Sequence, residues 1–182
     1  MSKFHNKFRI ESSRLKDFDY STPWWYYVTI STKKHLSCFG KIENRKMILN
    51  ELGETVEKEW LRTTDLRKNV ELDYYIVMPN HFHGIIILNE NLVETRRGVS
   101  LQQTNEFSKP IKNSLSVIIN QFKGAVKRWC NKNGYTDFVW QSSFYDRIIR
   151  NEKELYNIRK YIEQNPLKWE FDRDELENIF DL

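Results

Sequence analysis

The tripeptide His81-Phe82-His83 holds two of the chain's four histidines and opens an otherwise apolar run that ends at Leu88. Side chains alternate faces along a strand, so both imidazoles project together and Phe82 projects from the opposite face. Burying two imidazoles is costly unless each finds a partner. Two parallel imidazoles can bind one metal ion, but a His-x-His pair is also common by chance. The residues alone leave these two interpretations about even.

Tyr161 and Asn165 are a second candidate pair for chemistry. They are four residues apart, so on a helix they share one face. A helix lying on the sheet could bring the Tyr161 hydroxyl and the Asn165 amide to the histidines. Spacing alone favours ordinary packing for such a tyrosine, and Tyr145 and Tyr156 are equal candidates on that basis. The buried stripe beside this face is formed by Leu155, Ile158 and Ile162.

The composition is that of one compact domain with a basic surface. The chain has 182 residues, 40% of them hydrophobic and 14% aromatic, with a net charge of +4. This balance permits a nucleic-acid partner without requiring one. Cys38 and Cys130 show neither metal-type spacing nor a disulfide framework, so we expect two reduced thiols. With no signal-peptide core and no apolar run long enough to span a membrane, the protein is expected to be soluble and cytoplasmic.

The elements before residue 114 follow from hydrophobic patterning. Residues 24–30 form an aromatic and β-branched run, which predicts a strand. Asn44 is a plausible cap for an amphipathic helix over 44–62. Residues 70–78 and 81–88 predict two strands of an antiparallel hairpin. Residues 89–113 are polar and aperiodic, which predicts a long loop.

The second half supplies two more helices and short strands. Leu115 to Trp129 carry an apolar stripe beside a basic face, which predicts a helix. Short strands are expected near 138–140 and 144–149. Asn151 can cap a third helix, with Glu154 completing a capping box, and Pro166 predicts that this helix ends at Asn165.

The element order predicts an α+β protein with a ferredoxin-like β-α-β-β-α-β sandwich. Its antiparallel sheet would carry helices on one face, and a C-terminal helix would carry the tyrosine. Residues 1–20 are interpreted as a basic N-terminal arm, 21–170 as a single domain and 171–182 as an acidic tail. Candidate contacts to nucleic acid are the basic residues and one ring that could stack on bases, namely Arg96, Arg97, Lys123, Lys127, Arg128, Arg147, Arg150 and Trp140.

Three stretches resemble motifs of the REP-associated tyrosine transposases, relatives of the single-tyrosine transposases of small insertion sequences. Met78-Pro79-Asn80-His81-Phe82-His83-Gly84-Ile85 resembles the family's His-hydrophobe-His motif. Trp140-Gln141-Ser142-Ser143-Phe144-Tyr145-Asp146-Arg147 resembles its Trp-Gln-x-x-aromatic-aromatic-acid block. Tyr161-Ile162-Glu163-Gln164-Asn165-Pro166-Leu167-Lys168 resembles its Tyr-Ile-x-x-Asn-Pro-x-Lys block. The resemblance spans roughly residues 14–170 in the family's order, and the ordered set is more specific than any single motif.

The resemblance implies a metal-dependent single-strand DNA endonuclease and strand transferase. Tyr161 would be the nucleophile, forming a 5′-phosphotyrosine link with hairpin-forming DNA. His81 and His83 would bind a divalent metal, with Asn165 as third ligand and Gln164 as the neighbouring alternative. The family implies Mg²⁺ or Mn²⁺, whereas imidazole ligands alone favour zinc or manganese. Relatives act as monomers or homodimers.

Two other functions compete with this interpretation. Ferredoxin-like sheets also host non-catalytic modules that bind single-stranded nucleic acid through strand aromatics, although no segment here matches their characteristic aromatic strand motif. A zinc hydrolase at His81 and His83 would need a general base near the metal, and the sequence offers no convincing one.

Overall fold

The computed structural model describes residues 3–4, 7–8, 18–90 and 113–180. Nearly all of the predicted 89–113 loop, with Arg96 and Arg97, lies outside the described residues, as does most of the 1–20 arm. The strands are β1 Lys3–Phe4, β2 Lys7–Phe8, β3 Trp25–Ser31, β4 Gly40–Glu43, β5 Lys46–Leu49, β6 Val70–Val77, β7 His81–Leu88 and β8 Tyr145–Ile148. The helices are α1 Glu51–Leu66, α2 Leu115–Lys132 and α3 Glu152–Phe180, with a 3-10 turn at Lys33–His35.

The central sheet has four strands in the order β6-β7-β3-β8, and every neighbouring pair is antiparallel. With α1 between β3 and β6, and α2 between β7 and β8, the chain follows the β-α-β-β-α-β path. The predicted ferredoxin-like sandwich is therefore confirmed. The pairs β1–β2 and β4–β5 are separate two-stranded hairpins.

One face of the sheet forms the main core with α1 and α2. Phe82 from β7 lies on this face with its ring centroid 4.6 Å from that of Trp60 on α1. Phe122 from α2 packs on the same indole, with centroids 5.5 Å apart. Because side chains alternate along β7, the residues on either side of Phe82 must point to the opposite face.

Helix α3 covers that opposite face with a much smaller apolar cluster. Tyr27, Ile85 and Ile149 from the sheet region contact Ile162 of α3. Half-buried side chains extend this contact, among them Leu155 and Ile158 of the predicted stripe. The N-terminus of α3 is capped as predicted, since Asn151 Oδ1 accepts from the Glu154 amide at 2.9 Å.

The helix predicted over 44–62 is wrong at its start, because α1 begins at Glu51. Asn44 and Arg45 have φ values of 51° and 63° and form the two-residue loop of the β4–β5 hairpin. Positive φ at both loop residues matches the twist of paired strands, which favours asparagine in such loops. Ile48 therefore lies in β5. The helix starts after Asn50, whose Oδ1 accepts from the Gly53 amide at 2.9 Å.

The predicted end of the third helix at Asn165 is also wrong, because α3 continues through Pro166 to Phe180. A proline within a helix removes one backbone donor and crowds the preceding turn, which costs about 3 kcal/mol. Here Pro166 is buried, and packing on both sides of it offsets that cost. Ile162 lies in the cluster under α3, and the Trp169 ring lies 5.8 Å from the His81 ring. The 171–180 part of the predicted tail therefore continues α3.

Cys38 is half-buried, Cys130 is buried, and both are free thiols. Among the described helices, none combines the length and hydropathy needed to cross a membrane.

Replacing Gly84 by alanine should destabilise the fold by about 1–3 kcal/mol through overpacking. A Cβ at Gly84 would lie 2.7 Å from the Trp60 ring and 2.8 Å from the Phe82 ring, both in the core. Urea unfolding measures the loss. Gly124→Ala on α2 is the matched control, because its nearest neighbour is a terminal nitrogen of Arg128 at 3.3 Å. The control should keep or raise stability, since alanine favours helix. Equal stability of the two variants would contradict the packing argument.

Candidate active site

Three of the residues singled out in the sequence meet between β7 and α3. The His81 and His83 rings share the α3 face of the sheet, with centroids 4.5 Å apart. The Tyr161 ring lies 5.3 Å from the His83 ring. His83 is 4% exposed, whereas Tyr161 remains 43% exposed. The phenol therefore adjoins the buried imidazole pair and is still open to an external molecule.

Asn165 lies against the histidines, and Gln164 does not. The Asn165 side chain is 6% exposed and lies near enough to His81 to oppose the lowering of that imidazole's pKa. Gln164 is exposed on the outer side of α3. Tyr161, Asn165 and Trp169 follow one another at intervals of four residues, so they form a single stripe on α3. That stripe faces the imidazole pair because the helix continues through Pro166.

Hydroxyl groups of β3 hold one nitrogen of His83. Tyr27 Oη lies 2.7 Å and Thr29 Oγ1 lies 2.9 Å from His83 Nδ1. The second nitrogen, Nε2, is buried without a hydrogen-bond partner in the described part of the chain. With the proton on Nδ1, the Nδ1–H donates to these hydroxyls and Nε2 presents a bare lone pair. With the proton on Nε2, a buried N–H would be unsatisfied, at a cost of about 1–3 kcal/mol.

The neighbouring Asn80 fixes which ring nitrogen of His81 carries the proton. Asn80 Nδ2 donates to the His35 carbonyl at 3.1 Å, so its Oδ1 is the atom that faces His81. That oxygen lies 2.6 Å from His81 Nδ1. An amide oxygen only accepts, so His81 Nδ1 carries the proton and Nε2 is bare. Both imidazoles are thus held with an unprotonated Nε2.

The electrostatics keep both imidazoles neutral at physiological pH. Burial lowers the pKa of His81 to about 4, with repulsion from His35 adding to the effect and the hydrogen bond with Asn165 opposing it. Burial, with repulsion from His81, lowers the pKa of His83 to about 3. Burial also raises the pKa of the Tyr27 phenol, so this partner of His83 stays protonated. Neutral imidazoles are the form that binds metals.

These donors fit a divalent cation. The Nε2 atoms of His81 and His83, with the Asn165 amide oxygen, would offer a mixed nitrogen and oxygen ligand set, which suits Mn²⁺ better than Ca²⁺. Among the residues that the structure describes, no group of three or more His, Cys, Asp or Glu side chains forms an alternative metal cluster. The buried His83 Nε2 has no hydrogen-bond partner among the described residues, and a bound cation would supply one. Sequence reasoning missed four described residues around the site, namely Tyr27, Thr29, Asn80 and Trp169.

A β-bulge in β6 anchors α3 near Tyr161. The register shifts between Leu72 and Tyr75, which inserts one extra residue into the strand. Asp73, inside this shift, accepts from Arg159 Nε at 3.1 Å and Nη2 at 2.5 Å. The Arg159 guanidinium also lies 5.2 Å from the centre of the Tyr74 ring. Arg159 is two residues before Tyr161, so this contact restrains the rotation and the axial position of the helix.

Several predicted DNA contacts have structural partners instead. Lys123 is buried and donates to the Gln141 and Ser142 carbonyls, at 2.7 and 3.1 Å. Lys127 donates to two carbonyls of the segment after α2, at 2.8 and 2.6 Å. Trp140 is 8% exposed in the core, and its indole donates to the Lys123 carbonyl. The polar groups of these three residues hold α2 to the following loop, so intramolecular contacts account for their positions.

The predicted arginines are distributed over both sides of the molecule. Arg128 is exposed on α2, which packs on the face away from the histidines. Arg147 pairs in register with Tyr27, so it lies on the α3 side, where it forms a 2.5 Å ion pair with Glu154. Arg150 is exposed just before α3. Of the described basic residues predicted to bind DNA, Arg147 and Arg150 are the ones on or beside the α3 face.

Comparisons with known proteins find one relative by sequence and a solved structure with the same fold. No family model matches the chain. An uncharacterized protein of Haemophilus influenzae is 36% identical over 163 residues, covering 89% of this chain and 91% of that protein. The solved structure of the REP-associated tyrosine transposase bound to a REP hairpin matches with a TM-score of 0.56 at 18% identity, covering 87% of this chain and 74% of that chain. The two share a fold, as the sequence motifs imply.

Removing the hydroxyls that hold His83 should weaken metal binding. In the double variant Tyr27→Phe/Thr29→Val, His83 Nδ1 loses both partners, and loss of such orienting groups typically costs 10-fold to 100-fold in affinity. Titration calorimetry with Mn²⁺ measures the change. Tyr145→Phe is the control, since its exposed ring lies 6.4 Å from Tyr27 on the neighbouring strand. Unchanged Mn²⁺ affinity in the folded double variant would refute the role of the hydroxyls.

Breaking the Asp73–Arg159 pair should loosen α3 without unfolding the sheet. In Asp73→Asn, hydrogen-exchange protection of the α3 amides around 155–163 should fall by about fivefold, corresponding to about 1 kcal/mol, while α1 is unaffected. Arg62→Gln, which breaks the exposed Arg62–Glu59 pair on α1, is the control and should leave α3 unchanged. The double variant Asp73→Asn/Arg159→Gln should be no worse than either single change. Additive losses would show that the two residues act separately.

Proposed function

The chain belongs to the same family as the uncharacterized Haemophilus influenzae protein, and we propose that it is a metal-dependent single-strand DNA endonuclease and strand transferase, a transposase with Tyr161 as its nucleophile. One observation carries the proposal. The half-exposed Tyr161 ring lies 5.3 Å from His83, whose buried Nε2 has no partner among the described residues. A protonated phenol is a weak nucleophile, so it needs an electrophile activated beside it.

The fold and the motifs support DNA as the substrate. The REP-associated tyrosine transposase, which shares the fold, was solved bound to a REP hairpin. The ordered motifs around His81, Trp140 and Tyr161 resemble those of that family. We therefore assign hairpin-forming single-stranded DNA as the substrate class. The protein would act as a monomer or homodimer.

His81 and His83 would hold the cation, Mg²⁺ or Mn²⁺, together with Asn165. When bound, such a cation supplies Lewis-acid polarisation of a phosphate oxygen and orients the scissile bond. Asn80 keeps the His81 lone pair available, and Tyr27 with Thr29 does the same for His83. The Asp73–Arg159 contact holds α3 so that the phenol stays beside the imidazole pair.

The reaction exchanges one ester bond for another. The Tyr161 oxygen attacks the phosphorus in line, a bond forms between them, and the bond from phosphorus to the 3′ oxygen breaks. The phenol proton leaves to solvent, which reaches the exposed side of Tyr161, and the departing 3′ oxygen takes up a proton. The products are a 5′-phosphotyrosine and a free 3′-hydroxyl. Attack of a 3′-hydroxyl on the phosphotyrosine reverses the sequence and joins strands, so no ATP is needed.

The position of α3 weighs against the alternative of a non-catalytic module. Ferredoxin-like domains that bind single-stranded RNA stack bases on an open sheet face. Here α1 and α2 cover one face and α3 covers the other, including Tyr27 and Ile85. The zinc hydrolase alternative gains no support either: among the described residues, those next to His83 carry hydroxyls, and those next to His81 carry two amides, an indole and the His35 imidazole, with no carboxylate among them.

A denaturing gel tests the proposal directly. The wild type with Mn²⁺ should retain the label of a 3′-labelled hairpin oligonucleotide with randomised flanks at the size of the protein. A 5′-labelled copy should instead give a shortened free fragment. Tyr161→Phe should reduce the adduct by at least about 1,000-fold, because no other atom can form the ester. Chelator should also abolish it.

Tyr156→Phe is the matched control, since Tyr156 is an exposed tyrosine on the same helix. It should form the adduct at the wild-type level. A normal adduct from Tyr161→Phe would contradict the assignment of Tyr161 as the nucleophile. Label retained on the protein only from the 5′-labelled strand would show that the polarity of cleavage is reversed.

A further inference from the structure

Tyr161 opens on its solvent side into a pocket of about 400 Å³ that runs along α3. We call this the α3 groove and define it by Lys160, Gln164, Lys168 and Phe171 beside Tyr161. Its volume lies within the range of sites that hold small ligands or parts of larger ones. An incoming strand must approach from this side, because the other side of the Tyr161 ring packs toward Tyr27 and His83.

The helix geometry brings the groove residues onto one side. Residues spaced three or four apart on a helix are neighbours, which links Lys160, Gln164 and Lys168 in a row. At a rise of 1.5 Å per residue, the two lysines are separated by about 12 Å along the axis, with Tyr161 between them. The groove therefore offers a positive charge on each side of the phenol.

The charges in the groove are available to a ligand. Within the described part of the chain, the Lys160 and Lys168 ammonium groups have no ion-pair or hydrogen-bond partner, unlike Lys123 and Lys127 on α2. A row of lysines on a helix is usually only a solvated face. Here it adjoins a phenol aimed at buried imidazoles, and Phe171 adds a ring that is 56% exposed.

We propose that the α3 groove is the path of the scissile strand. Lys160 and Lys168 contact the phosphates on either side of the one that Tyr161 attacks, and Phe171 stacks on an unpaired base. This proposal rests on the proposed function and adds the residues that hold the substrate. It differs from the sequence prediction, which assigned phosphate contacts to α2, to Arg147 and Arg150, and to the loop around Arg96 and Arg97. The ligand proposed for the groove is single-stranded DNA.

The salt dependence of DNA binding tests the two lysines. Binding of the single-stranded hairpin oligonucleotide is measured in chelator, where no cleavage occurs, over a range of salt concentrations. Each of Lys160→Gln and Lys168→Gln should reduce the slope of log K against log salt by about 0.7, the value for one phosphate contact on a single strand. The double variant should lose about 1.4. Lys160→Arg and Lys168→Arg keep the charge and should restore the slope.

Phe171→Ala tests the stacking contact separately. It should weaken binding by about tenfold to 100-fold, in line with the loss of one stacked base, and leave the salt slope unchanged. Lys153→Gln on the first turn of α3 and Arg128→Gln on α2 are controls, because both are exposed and lie outside the groove. Neither should change affinity or slope as the groove variants do.

The outcomes separate this proposal from the proposed function. If the groove variants bind DNA with the wild-type slope and affinity, the strand path is overturned, even when the wild type forms the covalent adduct. If their slopes fall as expected but the wild type forms no adduct, the strand path stands and the tyrosine chemistry fails. Equal losses in the Lys153 and Arg128 controls would also overturn the proposal, since they would show diffuse attraction instead of a groove.

Discussion

The arrangement depends on the contact between α3 and the sheet face that carries the two imidazoles. That contact is small: Tyr27, Ile85 and Ile149 meet Ile162, and half-buried neighbours extend the cluster. The main core on the other face involves two helices and many more fully buried side chains. The Asp73–Arg159 contact adds a polar restraint to this small apolar contact, two residues before Tyr161. Stability of the domain and precision of the site are therefore governed by opposite faces of one sheet.

Strand β7 serves both faces because its side chains alternate. Phe82 packs against Trp60 in the main core, and that packing fixes the register of the strand. The same register projects His81 and His83 towards α3, where the hydroxyls of β3 and the Asn80 amide orient them. A slip of one residue would exchange the faces, placing a phenyl ring at the candidate site and imidazoles in the core. The core thus specifies the site from the opposite face of the sheet.

The local sequence pattern was enough to predict those elements whose hydrophobic periodicity matches the burial of their side chains. The strands that became β3, β6 and β7, the helix α2 and the cap at Asn151 follow from alternation, a 3.6-residue stripe and capping chemistry. The β4–β5 hairpin was missed because Ile48 and Leu52 also fit a helical repeat, and the stronger signal was the two-residue loop at Asn44 and Arg45. The contacts between Lys123 and the segment from Trp140 to Ser142 could not be foreseen, because only the tertiary fold brings that segment to α2.

The continuation of α3 beyond Pro166 shows why a local rule fails at this site. A proline disfavours helix at the preceding residue, yet that residue is Asn165, which is buried beside His81. Only a continuous helix places Tyr161, Asn165 and Trp169 in one stripe over the imidazoles. The same continuity places Lys168 and Phe171 in line with Tyr161 on the outer side. Both the candidate metal ligand and the α3 groove therefore require the conformation that the proline opposes. Burial of Pro166, with packing before and after it, offsets the lost hydrogen bond, so tertiary contacts decide the path of this helix.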